Sequence, residues 1–144
     1  MSFNFLKPLP TPAEIRSQYP LTQHGVEVKR QKDQEVTDVI TGKSDKFLVI
    51  IGPCSADNET SVLDYVSRLS RVQEKVKDRL VLVPRIYPYK PRTSGDGYKG
   101  IAHQPNPEKR PDLVAGLIAM RRLQMRSIEE FGLPPADEML YPEN

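Results

Sequence analysis

One cysteine and two histidines are all that this chain of 144 residues offers of the side chains most often used for metal binding and nucleophilic catalysis. A single cysteine excludes an internal disulfide framework. His24 and His103 lie far apart without zinc-motif spacing, and both are expected to be solvated surface residues. No apolar run reaches membrane-spanning length. The opening "MSFNFLKPLP" lacks the apolar core of a signal peptide, so the cytoplasm is the expected compartment. Charge of one sign is also scarce. Twenty-one Lys and Arg against nineteen Asp and Glu leave +2, too little for a general nucleic-acid or membrane-surface binder. No internal repeat and no low-complexity segment is present.

What remains, 38% hydrophobic and 28% charged, is the composition of an ordinary globular domain with enough length for a core. Residues 1 to 46 carry early prolines at 8, 10, 12 and 20 and read as an N-terminal arm, in which the charged stretch 27 to 38 predicts a short helix. "FLVII" at 47 to 51 is an unbroken, β-branched apolar run, the pattern of a strand buried on both faces of a parallel sheet. It stops at Gly52-Pro53. With Asn58 or Ser61 as N-cap, Val62, Val66, Leu69, Val72 and Val76 recur at helical spacing through residue 77. "LVLVPRI" at 80 to 86 predicts a second strand. Residues 111 to 131 predict a helix with Leu113, Val114, Leu117, Ile118, Met125 and Ile128 toward the core, ended by Gly132 and Pro134. "ADEML" at 136 to 140 predicts the opening of a third strand. The β-α-β-α-β order indicates an α/β fold with parallel strands. Three such strands cannot close a barrel and would leave open edges, so the chain either pairs with something or forms the front of a larger barrel.

Charge is concentrated rather than spread. Between Pro84 and Arg110 six basic residues face two acidic ones, and the segment suits a small phosphorylated ligand better than a long polyanion. Gly95, Gly97 and Gly100 satisfy G-x-G-x-x-G, but a dinucleotide loop must leave a strand and open a helix. Pro88 and Pro91 precede the run and Pro105, Pro107 and Pro111 follow it, which excludes that reading. A phosphate-binding P-loop fails as well, because Lys99 is followed by Gly100. Prolines 84, 88 and 91 instead stiffen a loop that holds Arg85, Lys90 and Arg92 in place, with Thr93 as a hydroxyl donor. Asp96-Gly97 reads as a tight turn returning Lys99 to the same space. Glu138 is placed to orient one of the lysines or to act as an ion-pair partner. Cys54 follows the first strand at its C-terminal end, where α/β folds carry active sites. The residues alone favour a small buried apolar role for it, with a metal-binding thiolate as the alternative.

The order and spacing of "IGPCS", "KPRTSGDGYKG" and "ADEML" resemble the microbial type I 3-deoxy-D-arabino-heptulosonate 7-phosphate (DAHP) synthases, over nearly the whole chain. The resemblance implies the N-terminal portion of a (β/α)8 TIM barrel: an incomplete barrel, its first β-α-β-α-β units over 47 to 144, preceded by the arm at 1 to 46 for oligomer contact or regulation. It implies condensation of phosphoenolpyruvate with erythrose 4-phosphate, the first step toward the aromatic amino acids. It implies a divalent metal ion of the Mn, Fe, Zn or Co type, with Cys54 as one ligand and the remaining ligands in later strands. Arg85, Lys90 and Lys99 match residues that hold or activate phosphoenolpyruvate, Lys90 being given the catalytic role. Arg92 and Thr93 match residues that grip the aldose phosphate, and Glu138 matches an acidic residue near the phosphoenolpyruvate site. Homo-oligomerisation, or association with a missing C-terminal half, follows as the expected partnership. The alternatives are a non-catalytic phosphate-binding or regulatory polypeptide that pairs with a full-length synthase, and a half-barrel complemented by a separate C-terminal half.

Overall fold

The computed structural model describes residues 8 to 89, 97 to 98 and 100 to 138. The proline-rich start is more ordered than its composition suggests. Thr11 caps helix α1 (Pro12–Gln18) with a reciprocal pair: its hydroxyl accepts the Glu14 N–H at 3.2 Å, and the Glu14 carboxylate accepts the Thr11 N–H at 2.7 Å. Those hydrogen bonds also lower the Glu14 pKa. Pro12 sits in the first turn, where its missing N–H costs nothing. Helix α2 (Gln23–Ile40) is longer than the short helix expected over 27 to 38. Thr22 starts it by accepting the Gly25 N–H, while the Thr22 N–H donates to Glu129 at 2.8 Å and ties the helix start to the later part of the chain. Tyr19 adds to that tie, its carbonyl accepting from Arg121 and its ring lying 4.9 Å under the Arg122 guanidinium.

Strand β1 (Phe47–Ile51) and strand β2 (Leu80–Pro84) form a parallel pair in which Phe47 faces Leu80 and Ile51 faces Pro84. Helix α3 (Glu59–Val76) makes the crossover between them, started by Asn58, whose side chain accepts the Ser61 N–H. Its buried stripe is Val62, Leu63, Val66, Leu69 and Gln73. Val72, expected in the core, is 46% exposed, because a helix that buries 62, 66, 69 and 73 turns position 72 away. In helix α4 (Leu113–Phe131), capped by Asp112, the core positions are Leu117, Met120, Leu123 and Ile128. Leu113, Val114, Ile118 and Met125 are only half-buried, so the apolar face is rotated from the one predicted. Gly132 ends α4 at φ 67°, with its N–H on Ile128 and the Leu133 N–H on Ser127, a left-handed C-cap.

Two strand expectations need correction. β1 is not buried on both faces: Phe47 is 73% and Ile50 56% exposed, since among the described residues β2 takes one edge and α2 covers the strand only in part. The third strand, expected over 136 to 140, appears as a single parallel bridge between Ala136 and Arg85, and residues 139 and 140 lie outside the described residues. No described helix is long and apolar enough to cross a membrane.

Candidate anion site at the strand ends

The C-terminal ends of β1 and β2 are locked together before any side chain chemistry begins. Gly52 passes so close to β2 that a Cβ there would lie 2.1 Å from the Arg85 carbonyl oxygen. Only glycine fits. Beyond it, the Ala56 N–H donates to the Tyr87 carbonyl at 2.9 Å, and Ala56 is fully buried. The loop after β1 is therefore fastened to the segment after β2, with Pro53, Cys54 and Ser55 held between these two points.

Cys54 is exposed, which overturns the buried apolar role that the residues alone favoured. Its position between two fixed points, rather than its hydrophobicity, decides this. Arg85 leaves the end of β2 and is gripped on several sides. Its Nη1 donates to the Pro53 carbonyl at 2.7 Å, and its Nε and Nη2 both donate to Oε1 of Glu138, the Nε bond being 3.0 Å. The guanidinium also lies 4.8 Å from the centre of the Tyr87 ring, within cation–π range. Glu138 thus pairs with Arg85. Next to it, the Asp137 carboxyl is pushed up to about 6, first by partial burial, with the Glu138 charge adding to the rise and the Glu138 N–H and Arg85 opposing it.

Of the remaining predicted site residues, Lys90, Arg92, Thr93 and Lys99 lie outside the described residues, as does Asp96 of the predicted turn. The residues around them are informative. Gly97 and Gly100 have φ of 77° and 87°, and Gly100 leads into a turn at 101 to 103 rather than a helix, in keeping with exclusion of a dinucleotide loop. The Tyr98 hydroxyl donates to the Asp57 carbonyl at 2.8 Å, so this stretch is tied to the loop that carries Cys54. Farther along, the Ala102 carbonyl would lie 1.7 Å from a Cβ on Gly116, which seats the end of the glycine-rich segment directly on α4. His24 is exposed on α2 as expected, but His103 is half-buried, edge-on to Tyr89 at 6.4 Å.

Among the described residues no three His, Cys, Asp or Glu side chains converge, and Cys54 supplies at most one ligand. Two contributors to the site were invisible in the sequence: the Pro53 carbonyl and the Tyr87 ring. Neither is marked by residue type, because both act through where the folded backbone puts them.

The architecture is of the α/β class, with a parallel strand pair whose C-terminal ends carry the candidate residues. Residues 20–143 match the model of the DAHP synthetase I family, and the chain belongs to that family. It is 35% identical over 129 residues to a phospho-2-dehydro-3-deoxyheptonate aldolase of Haemophilus influenzae, covering 90% of this chain and 35% of the relative. It is 33% identical over 136 residues to the Tyr-sensitive enzyme of that name from Escherichia coli, covering 94% and 38%. A solved phospho-2-dehydro-3-deoxyheptonate aldolase from Francisella tularensis superposes with a TM-score of 0.84 at 27% identity, over 96% of this chain and 40% of that one. The chain thus spans little more than a third of the length of the curated relatives it matches.

Proposed function

We propose that the chain contributes the anion-binding front of a DAHP synthase, in which phosphoenolpyruvate condenses with erythrose 4-phosphate. The observation that carries this reading is the clasp of Arg85 to the Pro53 carbonyl, which sets a strand-end guanidinium beside the Cys54 loop. Arg85, Lys90 and Lys99 hold the phosphoenolpyruvate anion, with Lys90 nearest the chemistry. Arg92 and Thr93 hold the aldose phosphate, and Glu138 lies at the edge of the phosphoenolpyruvate site. Fixed cations offset the repulsion between two phosphorylated substrates and hold them in reacting orientation. In this reading residues 47 to 144 form the first units of a TIM barrel and residues 1 to 46 an arm for subunit contact or regulation. Cys54 would supply one ligand to a divalent metal of the Mn, Fe, Zn or Co type, whose role would be to polarise the aldehyde. The described residues do not complete that site.

The test is phosphoenolpyruvate consumption by the 144-residue chain with erythrose 4-phosphate and added divalent metal, alone and with the rest of a family member supplied in trans. Turnover only in the presence of the second piece is expected, from a homo-oligomer or a complemented half-barrel. A second reading is a non-catalytic phosphate-binding or regulatory polypeptide that pairs with a full-length synthase. Phosphate binding without turnover in either mixture, together with altered activity of an intact synthase, would establish it.

A further inference from the structure

The segment after β1 and the glycine-rich segment after β2 meet at one hydroxyl. Ala56 is fully buried with its N–H on the Tyr87 carbonyl, and Asn58, two residues on, caps α3 by accepting the Ser61 N–H at 2.9 Å. Asp57 lies between these two fixed residues, so its carbonyl is presented from a backbone held on both sides. The amide that would close a helical turn onto that carbonyl is the Ser61 N–H, four residues along, and the Asn58 side chain has taken it. The Tyr98 hydroxyl supplies a donor instead, at 2.8 Å.

Both feet of the glycine-rich segment are buried. Tyr87 and Tyr89 fix its entry, and Gly100, Ile101 and Ala102 fix its exit, where a Cβ on Gly100 would lie 3.4 Å from the Pro88 carbonyl oxygen and the Ala102 backbone rests on Gly116. Between these feet the Tyr98 hydroxyl is a further attachment. It reaches the residue next to Ala56, so consecutive residues of one loop hold both Tyr87 and Tyr98. The span from 87 to 98 includes Lys90, Arg92 and Thr93, and Lys99 directly follows Tyr98. Gly97, with φ of 77°, precedes it. Glycine loses more conformational freedom on being fixed than any other residue, so a side-chain tie has most to restrain at this point.

We infer that Tyr98 is a positioning residue: its hydroxyl ties the glycine-rich segment to the Asp57 carbonyl and so sets the cations of that segment, Lys99 above all, relative to the Cys54 loop. A restraint made before the ligand arrives lowers the ordering cost of binding. The link to anion binding rests on the function proposed above, whereas the tie does not. The experiment compares wild type, Tyr98→Phe and Tyr98→Ala of the 144-residue chain by backbone amide NMR relaxation and by titration with inorganic phosphate. Tyr98→Phe removes the hydroxyl and keeps the ring, which borders a cavity of about 180 Å³ with Ile101 and Leu123. It is expected to lower the order parameters at positions 97 and 98 toward the flexible range below about 0.6, to leave Ala56 and Ala102 in the rigid range near about 0.85, and to weaken phosphate binding roughly two- to tenfold. Tyr98→Ala is expected to weaken it no less. Tyr98→Phe that matches wild type in both measurements while Tyr98→Ala is impaired makes the ring the restraint and overturns the assignment. An equal fall in order at Ala56 and Ala102 overturns it too, because that marks general loosening, as does greater mobility at position 97 with unchanged phosphate affinity. Should wild type and Arg85→Ala bind phosphate equally weakly, the anion reading fails, and the order parameters still decide whether the hydroxyl holds the segment.

Discussion

The two strands of this sheet are finished to different degrees. β2 is bonded on one edge by β1 and on the other by Gln73 and Ala136, with Val81, Leu82 and Pro84 buried. β1 is the more apolar run, yet among the described residues only one of its edges is paired, and Phe47, Ile50 and Ile51 remain exposed. Hydrophobicity alone therefore did not decide which strand is interior. The difference lies in neighbours: α3 packs over β2 and sends a glutamine to its edge, while α2 reaches β1 from one side.

That contrast can be broken by substitution. Leu82→Ala is expected to cost about 2–5 kcal/mol in chaotrope unfolding, as removal of a buried leucine usually does. Ile50→Ala should cost less than about 1 kcal/mol, because little of its surface leaves water in this chain. Equal costs would show that the β1 face is covered in solution, by a second copy or another chain.

A smaller effect, on the order of 1–3 kcal/mol, is expected from Gly52→Ala, whose Cβ meets the Arg85 carbonyl at 2.1 Å and must push the two strand ends apart. Phosphate affinity measured on the same variant should fall with stability, since Arg85 and Pro53 separate together. A variant of wild-type stability and affinity would mean that the two ends are not held as closely as described.

The strand-end acids supply a pH test of the β2 side. Asp137 holds its proton up to about 6 in the folded chain against 3.8 ordinarily, so the folded state binds that proton more tightly than the unfolded one. Its contribution is most favourable below about pH 4 and declines as pH rises to 6. Asp137→Asn should remove that decline and stabilise the chain above pH 6, by less than about 1 kcal/mol given the solvent exposure of the group. Thermal unfolding at pH 4 and pH 7 would measure it, and a variant whose pH profile matches wild type would rule Asp137 out as the source.

Least of all is expected from Cys54→Ala, where an exposed side chain is lost from a loop pinned at Gly52 and Ala56. A change within about 0.5 kcal/mol in unfolding is anticipated. A loss of several times that would return Cys54 to a packing role.

Residue type and spacing were sufficient for the β-α-β core. The apolar runs at 47 and 80, the Asn58 cap and the terminating Gly132 are local signals, and each element they announce is present. The N-terminal helices were less legible. Thr11-Pro12-Ala13-Glu14 is a capping box, but four nearby prolines obscured it, and the start of α2 is tied by the bond of Thr22 to Glu129, 107 residues away. The cationic character of the 85–99 segment was likewise plain in its composition, as was the resemblance carried by "IGPCS" and "KPRT".

Tertiary structure alone decided which partner Arg85 takes. Glu138, Pro53 and the Tyr87 ring come from different points in the chain, and nothing in their local sequence pairs them. It also decided that Cys54 is exposed, that Val72 faces water where Gln73 does not, and that the third strand engages through Ala136 alone among the described residues. The physical reason is common to all of these. Periodicity and capping act over one or two turns of chain, whereas burial and edge pairing depend on which distant backbone groups still lack a partner once the elements have packed.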